Sequence, residues 1–215
     1  MEQFARFPSF EPMFTRSRSD SAPAYLCLLN LFGASESRAA IEQVRTSGQR
    51  SGSCLDAELG ALLSDHNWRP QLVGAVALLV FGKNRVRLEA LWAALDRPCW
   101  VSPQLAAVAS LTDPDFDPRA RERIDRRCAL DIAAVSQMGW PSRHSALGPE
   151  SFAGHSKKLL SALMRLCEPR PGASVWLTAY DAAHDIKEMI ATDFDRGGDI
   201  ATGWSNQITA LLSER

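Results

Sequence analysis

Residues 65–82 read DHNWRPQLVGAVALLVFG, the most apolar stretch of the chain. Its apolar part falls within residues 71–81, well short of the roughly 20 residues that cross a bilayer. A core helix is the remaining reading. Pro70 stands in its first turn, where a missing N–H costs little, and Gly82 ends it. Asn84 is placed to cap the next helix. There Leu88, Leu91, Trp92 and Leu95 recur at i, i+3, i+4 and i+7, an amphipathic stripe.

A second copy of the stretch follows. Trp68 matches Trp100 at an offset of 32, and the same offset pairs Val73 with Leu105, Gly74 with Ala106 and Ala75-Val76-Ala77 with Ala107-Val108-Ala109. One amphipathic helix lies between the copies, so the unit is a helix pair. Pairs repeating at this period bury their apolar faces against their neighbours. Gly74 at the centre of a helix costs about 1 kcal/mol against alanine. Close helix packing is the compensation expected of it. Trp68 and Trp100, each just before a helix, are expected to plug the junctions between pairs. Ser102 and Pro103 mark the second start as N-cap and first helical residue.

On these residues the segment from 54 to about 130 resembles a HEAT-like repeat. DHNWRPQLVGAVALL is similar to a first repeat helix, with an Asp, an aromatic, Arg69 and a small-residue face. DRPCWVSPQLAAVASL keeps the Trp and the small face, but Val101 stands where Arg69 does, which breaks an Asp–Arg ladder. The resemblance implies an all-α fold of stacked antiparallel helix pairs, either a HEAT-like α-solenoid or an irregular helical array.

The chain as a whole fits about nine helices and no strand. Helical patterns run over 54–63, from 119 after the TDPDFDP turn, and over 151–167 and 174–191. A last helix carries Ile200, Trp204, Ile208, Leu211 and Leu212. Residues 1–22, rich in Phe, Pro, Ser and Arg, form an extended N-terminal arm. Its Phe4, Phe7, Phe10 and Phe14 are expected to dock on the body, since free they would be an exposed apolar liability. Residues 23–215 make a single domain.

Composition sets outer bounds. Of 215 residues, 46% are hydrophobic and 23% charged, ordinary for a globular domain. With 24 basic and 25 acidic residues the net charge is −1. That balance disfavours a generic binder of nucleic acid or membrane surfaces, which needs excess Lys and Arg. The five cysteines are scattered without a CxxC, as expected of buried thiols in a reducing cytosol. The N-terminus has no continuous apolar stretch of the signal-peptide kind, so a cytoplasmic location is expected.

Three constellations could carry chemistry. TDPDFDP sets Asp113, Asp115 and Asp117 at alternate positions. A calcium loop would need Gly and Glu where Pro118 and Ile124 stand, so a capped turn or an acidic protein-binding loop is expected. YDAAHDIKE puts Asp181, His184, Asp185 and Glu188 at neighbouring helical positions without an HExxH. A solvated acidic face or a recognition surface fits better than a metal site. RARERIDRR gathers Arg119, Arg123, Arg126 and Arg127 near one helical face, as a salt-bridged surface or a phosphate contact. No GxSxG elbow, phosphate loop or dinucleotide fingerprint occurs, and DRGGD lacks the Lys of a phosphate loop.

The leading expectation is a non-enzymatic, cofactor-free protein-binding module. By type it resembles bacterial immunity proteins that neutralise a cognate toxin. Asp113, Asp115, Asp117, Asp181, Asp185 and Glu188 would face a basic partner. The first alternative is a HEAT-like nucleic-acid-binding protein or alkylpurine DNA glycosylase, suggested by Trp68, Trp100 and Arg69. The second is a helical metal-dependent hydrolase with scattered ligands.

Overall fold

A computed structural model describes residues 5–15, 22–97, 99–137, 149–167 and 197–214, with side-chain surroundings given outside 127–157. Among these residues there are nine α-helices and no strand. They are α1 (Tyr25–Asn30), α2 (Ala34–Ser51), α3 (Leu55–Ser64), α4 (Trp68–Phe81), α5 (Arg85–Leu95), α6 (Ser102–Thr112), α7 (Phe116–Gln137), α8 (Pro149–Cys167) and α9 (Gly197–Ser213). The fold is all-α. The 174–191 helix expected from sequence lies outside the described residues.

The opening stretch becomes α4, and its amino-acid content explains its place. A helix apolar on every side must be surrounded. Pro70 to Leu78 are buried without interruption, and so are Ser102 to Ala109 of α6. These two helices lie side by side at the centre, with α2 flanking α4 in the same layer. A second layer holds α3 and α5, each packed in turn against the following central helix. It continues into α7, where Trp92 of α5 meets Phe116 at 5.9 Å between ring centroids. On the far side of α6, α8 and α9 pack against it and against each other. Helix α9 then reaches back to the start of the array. Trp204 Nε1 donates to the Leu28 carbonyl at 2.9 Å, and Arg38 of α2 pairs with Glu214.

Small residues set the spacing of the layers. A Cβ on Gly74 would lie 3.0 Å from Leu62 Cβ and 3.1 Å from Leu63 Cγ of α3. Helix α2 reads ASESRAAIEQVRTSGQRS, poor in large apolar residues, yet it buries Ala40, Ile41, Val44, Ser47 and Gly48. Phe81 of α4 occupies the space that a Gly48 side chain would need.

Helices joined by short turns alternate in direction, so the turns fall on two edges. On one, Asn84 Nδ2 and Arg87 Nε reach Asp56, and Arg119 reaches Glu89. This edge holds the turns around 52–54, 82–84 and 113–115. On the other, Arg97 donates to the carbonyls of Leu63 and Ser64, capping α3, and Gln104 Nε2 donates to Leu29 O. This edge holds the turns around 31–33, 65–67 and 96–101.

The expected extended arm is folded in, at least over residues 5–15. Pro8–Met13 form a 3₁₀ helix, and Phe7, Phe10 and Met13 are fully buried. Glu58 of α3, itself buried, accepts from Ser9 N at 3.1 Å and from its hydroxyl at 2.9 Å. Gln43 Nε2 donates to Pro12 O. These residues belong to the core rather than to a separate arm; Phe4 lies outside the described residues.

Candidate partner-binding edge

The acidic turn is the first sequence-derived candidate, and the structure divides it. Asp113 is 4% exposed. Its Oδ2 accepts from Trp92 Nε1 at 2.6 Å and from Arg119 at 3.3 Å, and its Oδ1 accepts from Asp115 N at 2.9 Å. Every oxygen serves the fold, so Asp113 is corrected from a partner-binding residue to a buried structural one. Asp115 is exposed and Asp117 half-buried. Asp181, Asp185 and Glu188 lie outside the described residues.

Arg119, Arg123 and Arg126 of the arginine run are each paired with a carboxylate, while Arg121 Nε is buried without a hydrogen-bond partner among the described residues. Arg123, 8% exposed, holds Asp96 in a bidentate pair with both contacts at 2.9 Å. Its guanidinium lies 4.4 Å from the Trp92 ring centroid, and that of Arg119 lies 4.9 Å from it. Arg126 pairs with Glu122 one turn away. Trp92 thus packs against two cations whose charges are already balanced by carboxylates.

Between the 82–85 and 113–115 turns runs a cleft of about 440 Å³. Lys83, Arg85 and Asp115 are exposed at its rim, and the Arg119–Asp113 pair forms part of its lining. Charges of both signs mix along it. Among the described residues this edge presents mixed charge rather than an acidic face.

The opposite edge differs in character. Of six large hydrophobic side chains that are exposed among the described residues, three stand along it: Leu26 at 40%, Phe32 at 76% and Trp100 at 52%. Trp68 and Trp100 do not play the same part here. Trp68 begins α4 and packs edge-on against Tyr25 at 5.7 Å. Arg69 lies over both rings and donates from Nε to Tyr25 Oη at 2.9 Å. Trp100 stands in the turn before α6, half-exposed, with Lys158 Nζ over its ring at 4.4 Å. It does not plug a junction between pairs.

The cause is a difference of register. The identical tripeptides Pro70-Gln71-Leu72 and Pro103-Gln104-Leu105 stand 33 apart, not 32. Gln71 and Gln104 are both buried, and each donates its amide to a backbone carbonyl, Gln71 to Asp65 O in the turn before α4 and Gln104 to Leu29 O in the last turn of α1. A one-residue shift rotates a helical position by about 100°. That removes Trp100 from the place equivalent to Trp68. Ser102 likewise is the first residue of α6 rather than its cap, and its Oγ accepts from Cys99 N at 2.8 Å. The Pro-Gln-Leu match was the signal in the sequence that gave this register.

Cys99 lies behind this edge. Its thiol donates to Gln71 Oε1 at 2.8 Å. Burial pushes its pKa above the ordinary thiol value, outweighing the hydrogen bonds from Val101 and Ser102 and the charge of Arg97. A raised thiol is a poor nucleophile near neutral pH. Among the described residues no group of three or more His, Cys, Asp or Glu side chains is arranged to hold a metal ion. None of the described helices is long and apolar enough to cross a membrane. Comparison with protein families, characterised proteins and solved structures finds no match to this chain.

Proposed function

We propose that the chain is a non-enzymatic protein-binding module built on stacked HEAT-like helix pairs, and that its interface is the aromatic edge. The observation that carries this reading is that Phe32 and Trp100 stand at solvent in two turns of one edge, with Leu26 exposed on the helix that leads into the first of them. Exposed apolar groups gathered together mark interaction surfaces, and aromatic residues are enriched at the centres of protein interfaces. The helices behind the edge are held by hydrogen bonds from buried Gln71, Gln104 and Trp204 and from half-buried Arg97. A surface ordered before binding loses little entropy on binding.

The narrower role, neutralising a cognate toxin as an immunity protein does, rests on protein type alone. The same complex tests it, since the partner would be an enzyme whose turnover stops on binding. Nucleic-acid binding is the weaker reading, because Arg119, Arg123 and Arg126 are each paired with a carboxylate and phosphate binding needs unneutralised cations.

The test is co-purification of the tagged full-length chain from its native host. A stoichiometric partner binding at sub-micromolar Kd supports the proposal. Recovery of the chain alone, at several salt concentrations, would end it.

A further inference from the structure

Arg69 stands half-buried in the first turn of α4, and among the described residues no carboxylate pairs with it. Its Nε donates to Tyr25 Oη at 2.9 Å. Its guanidinium lies 4.8 Å from the Trp68 ring centroid and 5.7 Å from that of Tyr25. Nη1 makes only a 3.4 Å contact with Asn67 Oδ1. Nη2 has no partner among the described residues, yet it is not sealed from water. This is an adverse place for a cation, because the first turn of a helix carries positive partial charge. Arg38, Arg87, Arg119 and Arg123 each hold a carboxylate. Arg69 has two aromatic faces instead, which compensate its charge in part and leave its outer donors unused.

The same imbalance extends along the aromatic edge. Lys158 Nζ lies 4.4 Å from the Trp100 ring centroid, again without a carboxylate among the described residues. Arg6 and Arg97 meet at the end of α3. Arg6 donates to Ser64 Oγ, and Arg97 donates to the carbonyls of Leu63 and Ser64. Neither pairs with a carboxylate among the described residues. Against these four cations, the turns of the edge bring three acidic residues. Asp96 is taken by Arg123. Asp65 Oδ1 accepts from Asn67 N at 2.8 Å, and Glu36 lies exposed against Gly33. Asp199, at the start of α9, pairs with neither Arg69 nor Lys158. The described charge of this edge is therefore positive, although the whole chain is nearly neutral.

Resting on the protein-binding reading above, we propose that the aromatic edge takes an acidic segment of a different protein, and that Arg69 receives one of its carboxylates. This reverses the charge expected from the sequence, where acidic turns were to meet a basic partner. Complementary charge sets which partner is accepted, and an arginine held in place by its own Nε bond and two rings is ordered before it binds. A second copy of the chain fits poorly. A two-fold contact through this edge would set each cation against its own kind. A head-to-tail contact would meet the opposite edge, where Lys83 and Arg85 are exposed. A polyanion of uniform charge fits less well than a protein, because Glu36 and Asp65 stand among the cations. A protein surface can bring carboxylates to Arg69 and Lys158, apolar groups to Phe32, and leave the two acidic residues in water.

The test titrates the nitrogen-15-labelled full chain with three end-blocked peptides, Glu-Glu-Phe-Glu-Leu-Glu and its Gln and Lys counterparts, followed by NMR. An oligothymidylate and phosphatidylserine vesicles serve as the other anions. The acidic peptide should move the Arg69 Nε–H signal and the indole signals of Trp68 and Trp100. The Gln peptide should bind about fivefold more weakly or worse, and the Lys peptide not at all. Arg69→Met should weaken the acidic peptide about tenfold or more. Arg69→Lys keeps the charge without the fork and should retain part of the binding. Lys158→Gln provides a second variant that leaves Arg69 in place and should weaken binding about twofold or more. Arg126→Met, on an exposed pair of α7, should bind as wild type does. Circular dichroism checks that each variant is folded. Equal binding of the Gln or Lys peptide at this edge would overturn the acidic preference and leave the protein-binding reading intact. Acidic-peptide binding unchanged in folded Arg69→Met and Lys158→Gln, or no binding of any peptide, would also overturn it, and co-purification then decides the protein-binding reading separately. Tighter binding of the oligothymidylate or the vesicles than of the acidic peptide would overturn both.

Discussion

Trp92 Nε1 donates to Asp113 Oδ2 across 2.6 Å, joining the middle of α5 to the turn that opens α7. Both side chains are buried. The same carboxylate holds Arg119, and Arg119 and Arg123 cover the indole. Removing one partner of a buried charged hydrogen bond leaves the other unsatisfied, the expensive case. Asp113→Ala is therefore expected to cost about 3 kcal/mol. Asp113→Asn, which keeps an acceptor, should cost less, and Asp115→Ala close to nothing. Urea unfolding midpoints measure all three. Equal midpoints for Asp113→Ala and Asp115→Ala would contradict the structural role of Asp113.

Arg123 makes a similar case on α7. Its fork holds both oxygens of Asp96, geometry that lysine cannot copy. Arg123→Lys should lose about 1–2 kcal/mol. Arg126→Lys, on an exposed pair, should lie within about 0.5 kcal/mol of wild type. Charge reversal at Arg123 would disturb the fold itself. Loss of any binding activity in such a variant must be checked against circular dichroism.

The glycines give a matched contrast. A Cβ on Gly197 would overlap the backbone carbonyl of Lys158 where α9 crosses α8. Backbone cannot move aside as a side-chain tip can, so Gly197→Ala should cost about 1–3 kcal/mol. Gly60 of α3 has nothing within 4 Å of such an atom. Gly60→Ala should stabilise by about 0.5–1 kcal/mol through helix propensity alone. Thermal melting separates the two in sign.

Cys99 links the fold to pH. Its folded pKa lies above the unfolded thiol value of 9.0. The folded state therefore keeps a proton that the unfolded chain gives up. Stability should be flat below about pH 9 and fall as pH rises above it. Cys99→Ala should flatten that decline. Thiol labelling gives a second readout: exposed Cys54 should react first, with Cys99 and buried Cys167 protected until the chain unfolds.

The N-terminal segment offers a test of the core. Phe10 is fully buried, so Phe10→Ala should cost about 3–5 kcal/mol. Ser9→Ala removes a hydroxyl donor to buried Glu58 and should cost about 1–2 kcal/mol. A merely decorative arm would show neither effect in chemical denaturation.

The sequence by itself determined the all-helical class and most element positions from α3 onward. The reason is local: apolar spacing, Asn84 as a cap that accepts from Arg87 N, and Gly82 as a stop act within a few residues. It also carried the burial of α4, because a helix without a polar face has nowhere else to go. The bounds and buried face of helix α2 were not delimited by the sequence, because it is poor in large apolar residues and its packing depends on Phe81 filling the space over Gly48. The fates of the charged and aromatic residues depended on contacts across the chain. Asp113 and Asp115 differ by two positions, yet one is sealed under Trp92 and the other meets water. Trp68 and Trp100 look alike in sequence, but a one-residue register shift sets one against Tyr25 and the other beside Lys158. Burial and hydrogen-bond partners are properties of helices brought together, and only the tertiary structure decided them.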